Sequence, residues 1–183
     1  MINKHKLLIL LFAVFTININ SQTLTINEII RWPRTVADNV NENLIKKGWE
    51  QHGYEINTDS GFVRRTWMIK NNYNDLKSYL QYYQSDADSI ENYIIYQFSY
   101  RDAFNSYKTD LKKMGYKLQK DKKKKGKKKE KNKYKDKEEL FLADKNSSLI
   151  SIKEVFLLGF NTFLVTSYNS KSRVAKNILE DDK

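Results

Sequence analysis

Two stretches of this chain are written to one plan. "VADNVNENLIKKGW" (36–49) sets against "AFNSYKTDLKKMGY" (103–116) without gaps. Leu44 meets Leu111, Lys46 meets Lys113, Gly48 meets Gly115 and Trp49 meets Tyr116. Val36, Val40 and Leu44 recur every four residues; Ala103, Tyr107, Leu111 and Met114 recur every three or four. Both spacings put the apolar side chains on one side of a helix. Thr35, three residues before Asp38, is the expected cap of the first helix. Each glycine stands where a left-handed residue ends a helix, a conformation that only glycine adopts without penalty.

Strand-like material follows each glycine. The first half reads "GYEI", "VRRTWMIK", "SYLQYYQ" and "NYIIYQFSY"; the second reads "YKLQ", "EELFLAD", "LISIKEVF" and "NTFLVTSY". These runs are short, mostly rich in β-branched and aromatic residues, and several are separated by polar or glycine breaks. Helices separated by runs of strands imply an antiparallel α+β fold. The expectation is two tandem α-β4 repeats, residues 22–100 and 101–169, forming one antiparallel sheet of about eight strands with helices on one face. In "NYIIYQFSY", Ile94, Tyr96, Phe98 and Tyr100 share one side and are assigned to the helix-covered core; Tyr93, Ile95, Gln97 and Ser99 share the other. Ahead of the first unit, "TINEIIRWP" (25–33) carries Thr25 and Glu28 in capping-box spacing. It reads as a short helix ending before Pro33, with Ile26, Ile29 and Ile30 inward. The tail, residues 170–183, reads as a frayed helix of mixed charge.

The N-terminus suggests a destination. Lys4, His5 and Lys6 precede the uncharged "LLILLFAVFTI" (7–17), then polar residues to Ser21. This is the layout of a secretory signal peptide over residues 1–21, with export to the periplasm or medium of a Gram-negative bacterium. The chain has no cysteine, so the exported domain must rely on its core and not on disulfides.

The formal charge is +11, but it is concentrated. "KDKKKKGKKKEKNKYKDK" (120–137) holds twelve lysines against Asp121, Glu130 and Asp136, a net of +9. Taking away that +9 and the two charges of Lys4 and Lys6 leaves a balanced domain. The tract holds no arginine and a single aromatic, Tyr134, unlike a nucleic-acid-binding face. It falls where the first half has "NTDSGF" (57–62) between its first two strands, and so reads as a disordered insertion in one hairpin. Its lysines, among them Lys122, Lys123, Lys124, Lys125, Lys127, Lys128 and Lys129, could hold an anionic polymer or membrane surface. They could equally be a solvated loop.

Catalytic patterns are missing. Past the leader the one histidine is His52, and no serine sits in a nucleophile-elbow pattern. Zinc ligands and a phosphate-cradling glycine loop are absent, so neither an enzyme nor a cofactor is expected. "SDADSIE" (85–91) clusters Asp86, Asp88 and Glu91 but lacks the calcium-loop glycine and terminal glutamate, and reads as a polar turn. Aromatics are abundant instead. Trp67, Tyr83, Tyr93 and Tyr168 are candidate contact residues for a protein or other macromolecule on the uncovered side of the sheet, since Tyr and Trp are enriched at binding hot spots.

The doubled helix-to-four-strand plan resembles the β-lactamase inhibitor protein family and related small exported domains. The helix ends "LIKKGW" and "LKKMGY", followed by a charged hairpin, also resemble a family of uncharacterised secreted bacterial proteins. The likeness covers most of residues 25 to 169. It implies a fold and a habit of binding proteins on an open sheet, and carries over no individual residue.

Overall fold

The computed structural model describes residues 24–59, 61–70, 77–123, 137–143, 148–157 and 160–180. The signal-peptide reading concerns residues 1–21, which lie outside these. The chain opens with α1 (Ile26–Arg31), a 3-10 turn (Trp32–Arg34) and α2 (Ala37–Lys46). Four strands follow: β1 (Glu50–Asn57), β2 (Phe62–Lys70), β3 (Lys77–Ser85) and, after a 3-10 turn (Ser89–Glu91), β4 (Tyr93–Phe98). Then come α3 (Arg101–Lys113), β5 (Lys117–Lys123), β6 (Lys137–Ala143), β7 (Ser148–Leu157), β8 (Phe160–Asn169) and α4 (Arg173–Glu180). The fold is α+β, with one eight-stranded sheet in the order β1-β2-β3-β4-β8-β7-β6-β5. Every neighbouring pair is antiparallel. Each half is a helix followed by a four-stranded meander, and the halves meet where β4 pairs with β8.

The glycines end both helices in the same way. Gly48 has φ +81 and Gly115 φ +85. In the first half Trp49 N–H donates to the Leu44 carbonyl at 3.0 Å and Gly48 N–H to that of Ile45 at 2.9 Å. In the second, Tyr116 N–H reaches the Leu111 carbonyl at 3.0 Å and Gly115 N–H that of Lys112 at 3.0 Å. These are paired Schellman closures. They turn the chain back so that Trp49 and Tyr116 join Leu44 and Leu111 in the core. The first strands are alike too, since each has a bulge four residues past its glycine. The ladder skips between Gln51 and Gly53 in β1 and between Leu118 and Lys120 in β5.

The helix-side core gathers the inward residues of α1, α2 and α3 against one face of the sheet. Ile26, Ile29 and Ile30 are buried as expected, and the Thr25–Glu28 capping box forms. Ile94, Tyr96 and Phe98 are fully buried, as are Val165 and, nearly so, Phe163. Phe98 stacks on Tyr96 (centroids 4.8 Å apart) and tilts against Phe163 across the seam (5.7 Å). Trp32, buried in the 3-10 turn, belongs to the same cluster, and its turn touches both β4 and β8. Polar bonds fix the helices over the strands: Asp38 to Arg65 and Asn41 to the Trp67 indole, each 2.8 Å, and Lys108 to Glu139, 2.8 Å.

Three expectations are corrected. Thr35 does not cap α2: the N-cap is Val36 with no side-chain bond, while the Thr35 hydroxyl donates to the Arg31 carbonyl. Asp38 is turned to Arg65 instead. The lysine tract is not wholly an insertion, because Lys120–Lys123 pair with β6 and Lys137 begins that strand. Lys124, Lys125, Lys127, Lys128 and Lys129 lie outside the described residues. The tail is an ordered helix, α4. Its Ala175 is fully buried yet stands apart from the helix-side core, as do Leu140 and Leu149, which the register turns to the other face. Lying against β8, α4 therefore covers part of that second face. Its N-terminus is held by the buried Glu91 carboxylate, whose two oxygens each accept the Arg173 N–H at 3.0 Å, a favourable place for negative charge.

No atom lies within 4 Å of a Cβ built on Gly48 or Gly115, so substitution there is penalised only by backbone conformation. Gly48→Ala and Gly115→Ala should each lower stability by about 1–2 kcal/mol, measured by guanidinium unfolding. Gly53→Ala, whose Cβ meets Thr66 at an ordinary 3.8 Å, should stay within about 0.5 kcal/mol of the parent.

Candidate binding face on the sheet

Alternation along each strand sorts side chains between the helix side and the second face. The register then aligns them into rows across the strands. One row on the second face runs Glu55, Arg64, Tyr83, Tyr93, Tyr168, Leu149, Leu142 and Lys117, from β1 to β5. Its middle is aromatic. The Tyr83 and Tyr93 rings stack with centroids 4.4 Å apart and planes 8° from parallel. Tyr168 tilts against Tyr93 at 5.5 Å, and Phe62 meets Tyr93 edge-on at 5.6 Å. Cross-strand aromatic pairs of this kind each add about 0.5–1.5 kcal/mol.

Stacking also decides what the row can offer. The facing sides of Tyr83 and Tyr93 are taken by one another, and Tyr168 and Phe62 crowd Tyr93 further. No flat ring face is left between these two for a base or sugar to lie upon; edges and hydroxyls remain. The Tyr83 hydroxyl donates to Gln81 at 3.2 Å. Arg64 extends the row, bonded to Glu55 and drawn to Tyr83, and these partners raise its already high pKa. Burial raises the Tyr93 phenol well above its ordinary value, with the Tyr83 and Tyr168 hydroxyls adding to it. Burial, with nearby Glu138, pushes Tyr168 up to about 12. The row is therefore neutral except at its charged ends.

Of the four candidate contact residues, the structure brings together Tyr83, Tyr93 and Tyr168. Trp67 is a correction: it is fully buried on the helix side, its indole N–H held by Asn41. Tyr82 is likewise buried, donating to the Thr35 carbonyl and accepting from Asn92. Tyr79 is on the second face beside His52, which meets it edge-on at 6.4 Å. Arg64 and Leu149 join the row, and Phe62 packs against Tyr93 beside it, without having been assigned from the sequence. The period of two along "FVRRTWMIK" puts Phe62 and Arg64 together, so that signal was present.

No family model matches the chain, and neither does any curated protein or solved structure.

Elsewhere, polar groups serve the fold. Asp88 accepts the Ile90 N–H at 2.9 Å, the Ser85 hydroxyl accepts the Ala87 N–H at 3.2 Å, and Glu91 holds α4. Among the described residues no three of His, Cys, Asp and Glu gather as metal ligands, and no helix is long and apolar enough to cross a membrane.

Raised phenol pKa values link stability to pH. A phenol kept neutral by the fold stabilises it fully below the ordinary value of 10. Above that the unfolded chain gives up the proton first, so the advantage shrinks as pH rises toward about 12. Unfolding free energy in guanidinium should hold up to pH 10 and fall between 10 and 12. Tyr168→Phe, which has no phenol to ionise, should flatten part of that fall.

Proposed function

We propose that this protein is an exported, non-enzymatic binding domain that holds a protein partner on the second face of its sheet. The observation that carries the reading is the stacked row of Tyr83, Tyr93 and Tyr168 on that face, away from α1, α2 and α3. Tyrosine packed in this way is suited to recognition. The rings are immobilised before binding, so little rotamer entropy remains to be lost. Each presents an apolar edge and a hydroxyl, and Arg64 and Glu55 give the row a polar rim. Such edges fit the mixed apolar and hydrogen-bonding surface of a folded protein better than the flat faces of bases or sugars. The expected leader at residues 1–21 places the encounter in the periplasm or medium. The C-terminal helix on the same face confines the contact to the first half and the seam.

The test is a double substitution, Tyr83→Ser with Tyr93→Ser. Capture of the partner from cell-envelope extract should fall by tens-fold or more, since two central hot-spot residues each contribute about 2 kcal/mol. Val36→Ser with Ile45→Ser, exposed on the helix side, is the matched control and should bind as the parent does. Equal capture by both variants, with circular dichroism showing both folded, would remove the proposal.

A further inference from the structure

The two edges of the sheet are complementary. Eight strands that alternate in direction leave β1 and β5 antiparallel to one another. A second copy carried along the sheet therefore sets its β5 beside β1 as an ordinary antiparallel neighbour, with the helices of both copies on the same side. Two adjacent cross-strand rows show what would meet. The aromatic row begins at Glu55 and ends at Lys117. The helix-side row next to it begins at Tyr54, passes through Arg65, Tyr82, Ile94, Ser167, Ile150 and Phe141, and ends at Leu118. Continuing the rows across a copy boundary matches Glu55 with Lys117 and Tyr54 with Leu118 in a single register.

That register survives along the strands because each edge has one bulge, at His52 in β1 and at Gln119 in β5. A bulge on one edge alone would flip the faces halfway along the contact. Here the two irregularities fall nearly opposite each other. The apolar pair supplies a further reason. Tyr54 is 56% exposed and Leu118 47%, and each would cover the other. Arg65, already poised over the Tyr54 ring at 5.8 Å, would back the contact.

We infer that copies of this chain associate head to tail, β1 of one against β5 of the next, extending a single antiparallel sheet. Such a contact is heterologous, so it propagates into open chains or closes only as a ring. It uses the edges, including the two ends of the row, and leaves Tyr83, Tyr93 and Tyr168 free in every copy.

Sedimentation of the purified protein tests this. The average mass should rise with concentration and fall with added salt, which screens the Glu55–Lys117 pair. Glu55→Lys and Lys117→Glu should each weaken association by about tenfold, since like charges would then face one another. An equimolar mixture of the two variants should recover it, because every contact in an alternating chain again joins opposite charges. Tyr83→Ser with Tyr93→Ser should associate as the parent does, which separates this contact from partner binding. Four results would overturn the inference. They are a parent that stays monomeric at every concentration, a Lys117→Glu variant that associates normally, a mixture that does not recover, and association that vanishes with the tyrosines.

Discussion

The ladder between β4 and β8 is the joint on which the rest of the molecule hangs. A lone helix on a four-stranded meander buries little and leaves an aromatic strand at its margin. Pairing Tyr93 through Phe98 with residues 163 to 168 removes both margins at once. It also fuses two small cores into one, because Tyr96, Phe98, Phe163 and Phe104 form a continuous run of ring contacts across the join. Burial of this kind, at about 1.5–3 kcal/mol for each large side chain, is what a cysteine-free domain has in place of disulfides. The 3-10 turn seals the join from above with Trp32, and Arg34 reaches over to Ser148 at 2.8 Å.

The same join makes the second face useful. Tyr83 lies on β3, Tyr93 on β4 and Tyr168 on β8, so the aromatic row spans both halves. Neither half alone would present it. The halves are not equal contributors. Where the first places Tyr83 and Arg64, the second places Leu149 and Leu142 in the row and covers part of its face with α4. Two halves of like strand order thus present an unequal surface.

Much of this was legible in the residues, for reasons that differ by element. Helix ends could be read because a left-handed residue followed by a large apolar one leaves few alternatives to Gly48–Trp49 and Gly115–Tyr116. Strand β4 could be read because Ile94, Tyr96 and Phe98 alternate with only partly polar neighbours. Trp67 could not be placed, because Arg65 interrupts the apolar alternation of Val63, Trp67 and Ile69. That arginine faces the helix side, where its charge is met by Asp38, a residue far from it in the chain. The lysine run hid the ends of β5 and β6, since charge density argues for solvent while the ladder sets Lys122 against Glu138. For α4, an amphipathic pattern shows that one flank is buried but not which side of a sheet receives it.

Chain order gives the join a consequence in time. The margin of β4 is complete once Phe98 has been made, yet its partner is not finished until Asn169 follows. At a synthesis rate of about 5–20 residues per second, the aromatic strand waits several seconds with β3 on one side and its other edge unpaired. During that interval it is an open template for any extended segment nearby. One edge of β4 is thus open until the last strand of the sheet exists.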